Sequence, residues 1–506
     1  MMKFLRILAV LAVAVLVAGS ALAETQSVKV SGDLTVRGIG RSGYELRGSV
    51  PEVDINRTGL SADTGVYGPN QSFFMSTAEI QVDAELTDCV STCIRLLNER
   101  DWNVRSKDAS SGLALTPNGW GEYGTDGRTF DIELDLAYVT LKDFVYSPLT
   151  LTIGRQDLWF GKGFIVGSNH VFNNAWNNYF ATNNIAGVAT PNINRLQAPE
   201  YTSKTAFDSI KAVLDYDPWT VTGMYSKIME DAVNLDDDID LWGINVGYKF
   251  DCYKAEAETY WFAKIDHSVS QWNSKANNDV HTIGIRGSMD PLEPITIAAE
   301  GAWQFGKYMG ERNSQGNMSR QAWAMDISGE YRLPEQFCWK PKMGIEYIIY
   351  SGDEQVNNPH ERRGVFTGWD PMFRGKFDSA IREFVGTYYT TYDYQTRGDQ
   401  LYSAPDASFT NQQQLIFSAS IQPTDSLTIK GNYNLFWLCS GIQRSIATND
   451  YQEGYIGSEF DMQYVWDYTE DVSFGLLTGW FFPSHQVYKN ADKTATDIVG
   501  SVKVSF

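Results

Sequence analysis

The sequence predicts an all-β fold, a transmembrane antiparallel β-barrel of about 18 strands (16–18) with short turns at one end and long loops at the other. Three observations carry that prediction. Apolar and polar residues alternate with a period of two, which sends successive side chains to opposite faces of a strand, over runs of about 10 residues, enough to cross a bilayer at a tilt. The chain is polar for a membrane protein, with a mean hydropathy of -0.30, 13% aromatic residues and 43 Gly. Beyond its first 23 residues no apolar run is long enough for a spanning helix. Only helices and closed sheets satisfy every backbone polar group in lipid, so a membrane protein of this composition must be a barrel. The third observation is the pair of chain ends.

Residues 1–23 have the pattern of a secretory leader: Lys3 and Arg6, an apolar run from Ile7 to Val17, then Ala21-Leu22-Ala23 before Glu24. Cleavage is expected after Ala23, leaving 24–506 as one barrel domain. At the other end, DIVGSVKVSF puts Ile498, Val502, Val504 and Phe506 on one face and Val499, Ser501, Lys503 and Ser505 on the other. An alternating last strand ending on an aromatic resembles the assembly signal of Gram-negative outer-membrane barrels. The expected location is therefore the outer membrane, with its lipid and, through Phe506, the barrel-assembly machinery as partners. A net charge of -21 argues against a nucleic-acid partner.

The clearest hairpin runs from Thr129 to Phe160. In its first arm Phe130, Ile132, Leu134, Leu136 and Tyr138 alternate with Asp131, Glu133, Asp135 and Ala137, and in its second Leu149, Leu151 and Ile153 alternate with Thr150, Thr152 and Gly154. Each arm is read as longer than about 10 residues, right for a tilted spanning strand. Earlier strands are expected at Val28–Gly38, Phe74–Thr87 and, with poor alternation, Ile94–Arg105. Thirteen more are expected from Thr205–Tyr216 to Ala495–Phe506. Asp- and Pro-marked short turns (DCVSTC, DYDP, DCY, DPLEP, PTDS, TEDV) alternate with longer connections, notably 161–203 and 354–410. Trp159, Trp242, Trp261, Trp303, Trp323, Trp437 and Trp480 share the apolar parity toward the long-loop end, and Tyr138, Tyr216, Tyr248, Tyr331 and Tyr468 toward the other, as two interfacial belts would.

A barrel of this size leaves an aqueous channel unless something plugs it, and parity names its lining. The expected basic residues are Lys29, Arg37, Lys211, Lys249, Arg286, Arg332 and Lys430, with Lys264 and Lys342 beside them. The acidic ones are Glu79, Asp83, Glu85, Asp131, Glu133, Asp135, Glu459 and Asp461, with Glu256, Glu258, Glu300, Asp326, Glu330 and Glu346 also inward; charged rings of this kind select solutes. Arg155 has the parity of the apolar face, where mid-bilayer placement costs about 2–4 kcal/mol, and a bulge near Gly154 is expected to turn it into the lumen. The 161–203 loop is long enough to fold partly into the pore. Cys89 and Cys93, in the turn DCVSTC, are candidates for a disulfide in an oxidising compartment. No His accompanies them, so no metal site is expected, and no cofactor either.

LDLAYVTLKD followed by LTLTIGRQDLWFGKGFIVG, together with YSGDEQ from Tyr350, resembles the alginate-export family of outer-membrane porins. That resemblance implies an 18-stranded monomeric barrel whose Arg- and Lys-rich lumen passes an anionic polysaccharide, and it implies a pore role for Arg155. By parity this lumen holds more acids than bases, a departure from the family pattern. The expected function is a porin passing hydrophilic, charged or polysaccharide-like solutes. An outer-membrane enzyme is the weaker alternative, because His170, His267, His281, His360 and His485 form no catalytic motif. A barrel sheath for a multihaem cytochrome would take its haem from the partner, since the chain lacks C-x-x-C-H.

Overall fold

The computed structural model describes residues 27–43, 46, 70–102, 132–169, 198–230, 238–267, 278–308, 318–334, 336–352, 365–376, 378–381, 410–445, 450–452, 454–486 and 493–506. The leader, Asp131 and most of the 161–203 loop lie outside the described residues.

Twenty-one strands occur among the described residues. The first nine are β1 (Ser27–Ser42), β2 (Asn70–Thr87), β3 (Val90–Asp101), β4 (Glu133–Leu141), β5 (Leu149–Gln156), β6 (Phe207–Asp215), β7 (Trp219–Met229), β8 (Ile239–Lys249) and β9 (Glu256–Asp266). Then come β10 (Asn278–Leu292), β11 (Ile295–Tyr308), β12 (Met318–Arg332), β13 (Lys342–Tyr350), β14 (Val365–Phe366), β15 (Gln412–Thr424) and β16 (Leu427–Leu438). The last five are β17 (Ile442–Ser445), β18 (Asp450–Gln452), β19 (Tyr455–Asp467), β20 (Val472–Pro483) and β21 (Ala495–Ser505). β17 and β18 form a separate ribbon, and the two-residue β14 lies parallel on β12. The remaining 18 form a closed antiparallel barrel, sealed where β1 pairs with β21 from Asp33↔Ser505 to Ser42↔Thr496. Phe506 completes the seam: its N–H and C=O pair with Gly32 at 3.0 and 2.9 Å. Its ring covers the same glycine, where any Cβ would collide with it.

The outer face carries the exposed apolar side chains, among them Val28, Val30, Ile80, Ile210, Ile244, Ile285, Ile345 and Leu476. Aromatic residues gather at its two ends. Trp242, Trp303 and Trp323 stand toward the long loops, and Tyr216, Trp219, Tyr331, Trp466 and Tyr468 toward the short turns.

The hairpin that alternates most clearly departs from its simple parity. Its arms are shorter than predicted, 9 residues in β4 and 8 in β5. Arg95 pairs with Leu136 while Leu96 pairs with Leu134, so Asp135 is an extra residue in β4. This bulge sends both Asp135 and Leu136 inward, and from there the faces exchange. Leu136 and Tyr138, expected outside, pack inside with Cys93 and Ala206. Trp159 also leaves the expected belt: it lies beyond β5, its ring against Gly163, Gly167 and Gly375.

β3 begins at Val90 rather than near Ile94, which removes the proposed disulfide. Cys89 is exposed in the turn, whereas Cys93 is buried within the strand opposite Asp83, and both are free thiols. Four residues of extended chain span about 13 Å, well beyond the roughly 7 Å at which a disulfide closes.

A lumen narrowed by inward-folded segments

The upper inner wall of β6–β15 is apolar: Phe207, Met224, Leu241, Phe262, Val280, Ala322, Ala324, Ile348 and Tyr350 are all buried there. Such residues would be misplaced in a water-filled pore. They are covered by chain from two long connections. Leu158, Phe164, Ile165 and Val166 join the same cluster from the first, and Trp369, Met372 and Phe373 from the second.

The first segment, 157–169, turns at Gly161 (φ 54°) and Gly163 (φ 76°), a backbone region favouring glycine. It leaves β5 and reaches the opposite wall, where Gly161 lies against Arg286 and the Lys162 ammonium donates to Ser328 Oγ at 2.6 Å. The second segment, 365–381, is bonded to it by Gly167 N–H to Phe373 O (2.8 Å), Phe373 N–H to Ile165 O (3.0 Å) and Gly375 N–H to Gly163 O (2.9 Å). Gly167 and Gly375 pass so closely that a Cβ on Gly375 would stand 2.6 Å from the Gly167 carbonyl carbon.

Wall charges hold the second segment. Asp370 bonds Lys264 at 2.7 Å, and its peptide N–H and C=O are both taken by the Gln304 amide. Arg320 donates to Gly368 O at 3.0 Å and lies over the Phe366 ring at 5.1 Å. Lys376 bonds Asp326 at 3.0 Å and also Glu346. Farther along, Ile381 N–H donates to Glu459 (2.8 Å) and Ala380 N–H to Asp461 (3.3 Å). Burial alone would raise the Asp370 pKa, but Lys264 and Arg320 outweigh it and hold the carboxyl below the ordinary range. At Lys376 burial is likewise outweighed, by Asp378, Asp326 and Glu346, which hold the ammonium above the usual lysine range.

A third piece, 198–204, lies on β1–β4. Glu99 accepts from Thr202 Oγ1 and Ser203 N–H at 2.6 Å each, Lys204 pairs with Glu133 at 2.5 Å, and Glu200 pairs with Arg41.

The predicted lining divides accordingly. Lys29, Arg37, Lys211, Lys249, Arg286, Arg332 and Lys430 share the inward parity, as do Glu79, Asp83, Glu85, Glu133, Asp135, Glu459 and Asp461. Most of these acids are engaged: Asp135 and Glu79 with Arg95, Glu133 with Lys204, and Glu459 and Asp461 with the second segment. Glu256 and Glu258 are held by Arg286, and Glu330 by Arg332. Asp83 and Glu85 instead accept from the neutral groups of Gln81 and Ser27. Lys29, Lys211, Lys249 and Lys430, together with Lys342, make no ion pair among the described residues.

Arg155 is not part of this lining. It stays on the outer face, Cα-paired with Ala137 and Asp208, while its neighbours Gly154 and Gln156 lie on the inner parity. The expected correction at Gly154 occurs instead in β4, on the partner strand, and leaves the arginine outside. The anchors missed from sequence, Lys162, Arg320, Asp370 and Lys376, sit in connections or at strand ends, where period two is silent. Their one signal was the apolar run WDPMF inside a long polar connection.

No curated protein sequence matches the chain. Among solved structures it is similar to OpdQ of Pseudomonas aeruginosa (TM-score 0.51, 10% identity, 96% of this chain and 99% of that one). It is also similar to OccAB1 of Acinetobacter baumannii (0.52, 10%, 96% and 99%) and to OccK9 (OpdG) of Pseudomonas aeruginosa (0.51, 10%, 95% and 99%). At these identities the likeness is one of fold. Sequence supplies the rest, for the family model described as Alginate export matches residues 56–501, and the chain therefore belongs to the Alginate export family, as an outer-membrane channel for hydrophilic solutes and not an enzyme.

Proposed function

We propose that the solute is anionic and rich in hydroxyl groups, of the sugar-acid class, and that it diffuses past the inward-folded segments along the inner wall of β12–β19. The observation that carries this is the state of the lumen's charges. Its acids outnumber its bases by parity, yet most acids hold folded chain or a neighbouring cation, whereas five inward lysines have no ion pair among the described residues. At the short-turn end Arg332, Lys342, Ser420, Lys430 and Gln463 stand side by side on adjacent strands. Above them Gly344, Ser418 and Asn432 form a second row that is polar and uncharged. Cations beside hydroxyl and amide groups suit a carboxylate on a saccharide-like body. A sheath for a protein partner would need the space that 157–169 and 365–381 occupy.

The test is single-channel recording of the purified barrel in a planar bilayer under a KCl gradient. A reversal potential on the anion side, with current blocked by an oligouronate, is expected; cation preference would overturn the assignment. Export through residues 1–23 and assembly through Phe506 belong to the same proposal. Deleting Phe506 removes the backbone pairing to Gly32 and should lower the fraction of heat-modifiable barrel in the outer membrane. Normal assembly of that deletion would remove the assembly role.

A further inference from the structure

Arg155 begins a row on the outside of the barrel. Arg155, Asp208, Lys227 and Asp240 are lateral neighbours on β5, β6, β7 and β8, alternating in sign. Arg155 Nη1 lies 3.3 Å from Asp208 Oδ2, and Lys227 Nζ lies 2.6 Å from Asp238, 2.9 Å from Glu230 and 3.2 Å from Asp240. The next outward row toward the short turns is Ile153, Ile210, Tyr225 and Trp242, the last two with ring centroids 4.4 Å apart. Charges above aromatics above aliphatics is the order of a membrane interface. The row therefore stands at headgroup level, where its charges are spared the cost of hydrocarbon.

Below Arg155 the surface is hollowed. Ile153, Gly154, Asp208, Ser209, Ile210 and Tyr225 line a groove of about 250 Å³. Gly154 and Ser209 have the inward parity, so they meet the groove through their backbone. The groove has two isoleucines along its length and the Asp208 carboxylate at its upper end, with the Arg155 guanidinium 3.3 Å beyond that carboxylate, which is the polarity order of a lipid.

We propose that this groove seats one phosphorylated lipid of the outer leaflet, with an acyl chain along Ile153 and Ile210 and the phosphate on the Arg155 guanidinium. Asp208 fixes the plane of that guanidinium, and a planar fork suits a phosphate better than an ammonium would. Lys227, surrounded by three carboxylates, forms the flank of the site and does not take the phosphate. A free anion is disfavoured as occupant because the groove's walls are apolar.

The full-length barrel in phosphatidylcholine nanodiscs, with a minor fraction of bisphosphorylated glucosamine-disaccharide lipid, gives the test. The readout is lipid retained per barrel after extraction into mild detergent, counted by native mass spectrometry. Wild type should retain the phosphorylated lipid in preference to phosphatidylcholine, and Arg155→Ala should reduce that retention about fivefold, as loss of one interfacial charge contact implies. Arg155→Lys should fall between them. Ile210→Trp, which fills the groove and leaves the charges intact, should also lose the lipid. Heat-modifiable migration checks that each variant is folded. Equal retention by wild type and Arg155→Ala would overturn the proposal. So would displacement of the lipid by inorganic phosphate, which would make the site one for a free anion.

Discussion

In the half of the lumen nearer the long loops, Lys264, Asp326, Glu346 and Glu459 each hold a piece of folded chain, whereas nearer the short turns Lys29, Lys249, Lys342 and Lys430 carry no ion pair among the described residues. Both groups point inward from strands of the same barrel wall, and β13 carries one of each, Glu346 and Lys342. The upper charges are compensated by groups that came in with the loops, so they fix where the channel is narrow. The lower ones hold no ion pair among the described residues, so they remain for whatever passes. A charge on the inner face is thus defined less by its parity than by whether the chain itself supplies its counter-ion.

The comparison is broken most forcefully by removing an upper counter-ion. Lys376→Met leaves Asp326, Glu346 and Asp378 without their shared cation, and stripping one partner from a buried pair costs about 3–5 kcal/mol. The expected result is a lower thermal midpoint together with a higher single-channel conductance, as the second segment leaves the wall; unchanged conductance would mean that 365–381 does not narrow the pore. Gly375→Val should act in the same direction with a smaller effect, about 1–3 kcal/mol for overpacking, because its side chain must push the backbone of Gly167 away. Acid should reach the Asp370 anchor late. A carboxyl held below its ordinary range contributes stability that is present above the unfolded pKa and is lost only as pH falls through the folded one. The Asp370–Lys264 link should therefore persist at about pH 5 and fail only below the ordinary carboxylate range. Comparing the conductance of wild type and Asp370→Asn at the two pH values checks this.

The lower half is tested by charge rather than by stability. Lys342→Glu combined with Lys430→Glu should leave conductance and thermal midpoint nearly unchanged, since neither lysine holds an ion pair among the described residues. The reversal potential should move toward cations, and an unmoved value would show that the lower rows do not select.

The division between the two halves was only half visible beforehand. Strand number and the positions of nearly all strands could be read because period two persists wherever one face meets lipid and the other does not. Inward placement of residues such as Lys430 or Glu459 followed from the same rule. What the rule could not supply was partnership. Glu346 looks like a pore acid until Lys376 arrives from a connection with no periodicity, and Asp370 and Arg320 gain their roles from a loop folding back over the wall. Bulges were the other blind spot, because the extra residue at Asp135 leaves no mark in the alternation FDIELDLAY that would distinguish it from a regular strand.

Arg155 gives the smallest expected effect and the sharpest contrast with the lower lysines. By motif it is the residue to mutate first in search of selectivity, and its charge is of the same sign as theirs. Yet its side chain leaves the opposite face of β5, pairs with Asp208 on the outside, and is separated from the lumen by the sheet. A solute in the pore meets that charge only through the wall, where Gly154 and Gln156 face it instead, and ionic screening at physiological salt has a length of about 8 Å. Arg155→Glu should therefore leave the reversal potential at its wild-type value under the same KCl gradient in which the paired Lys342→Glu and Lys430→Glu variant moves it. The substitution places two carboxylates side by side on β5 and β6, so a modest fall in thermal midpoint, under about 1 kcal/mol for an exposed pair, is expected without a change in selectivity. A shift in reversal potential comparable to that of the lysine variant would return Arg155 to the pore and would require the β4 bulge to be placed differently.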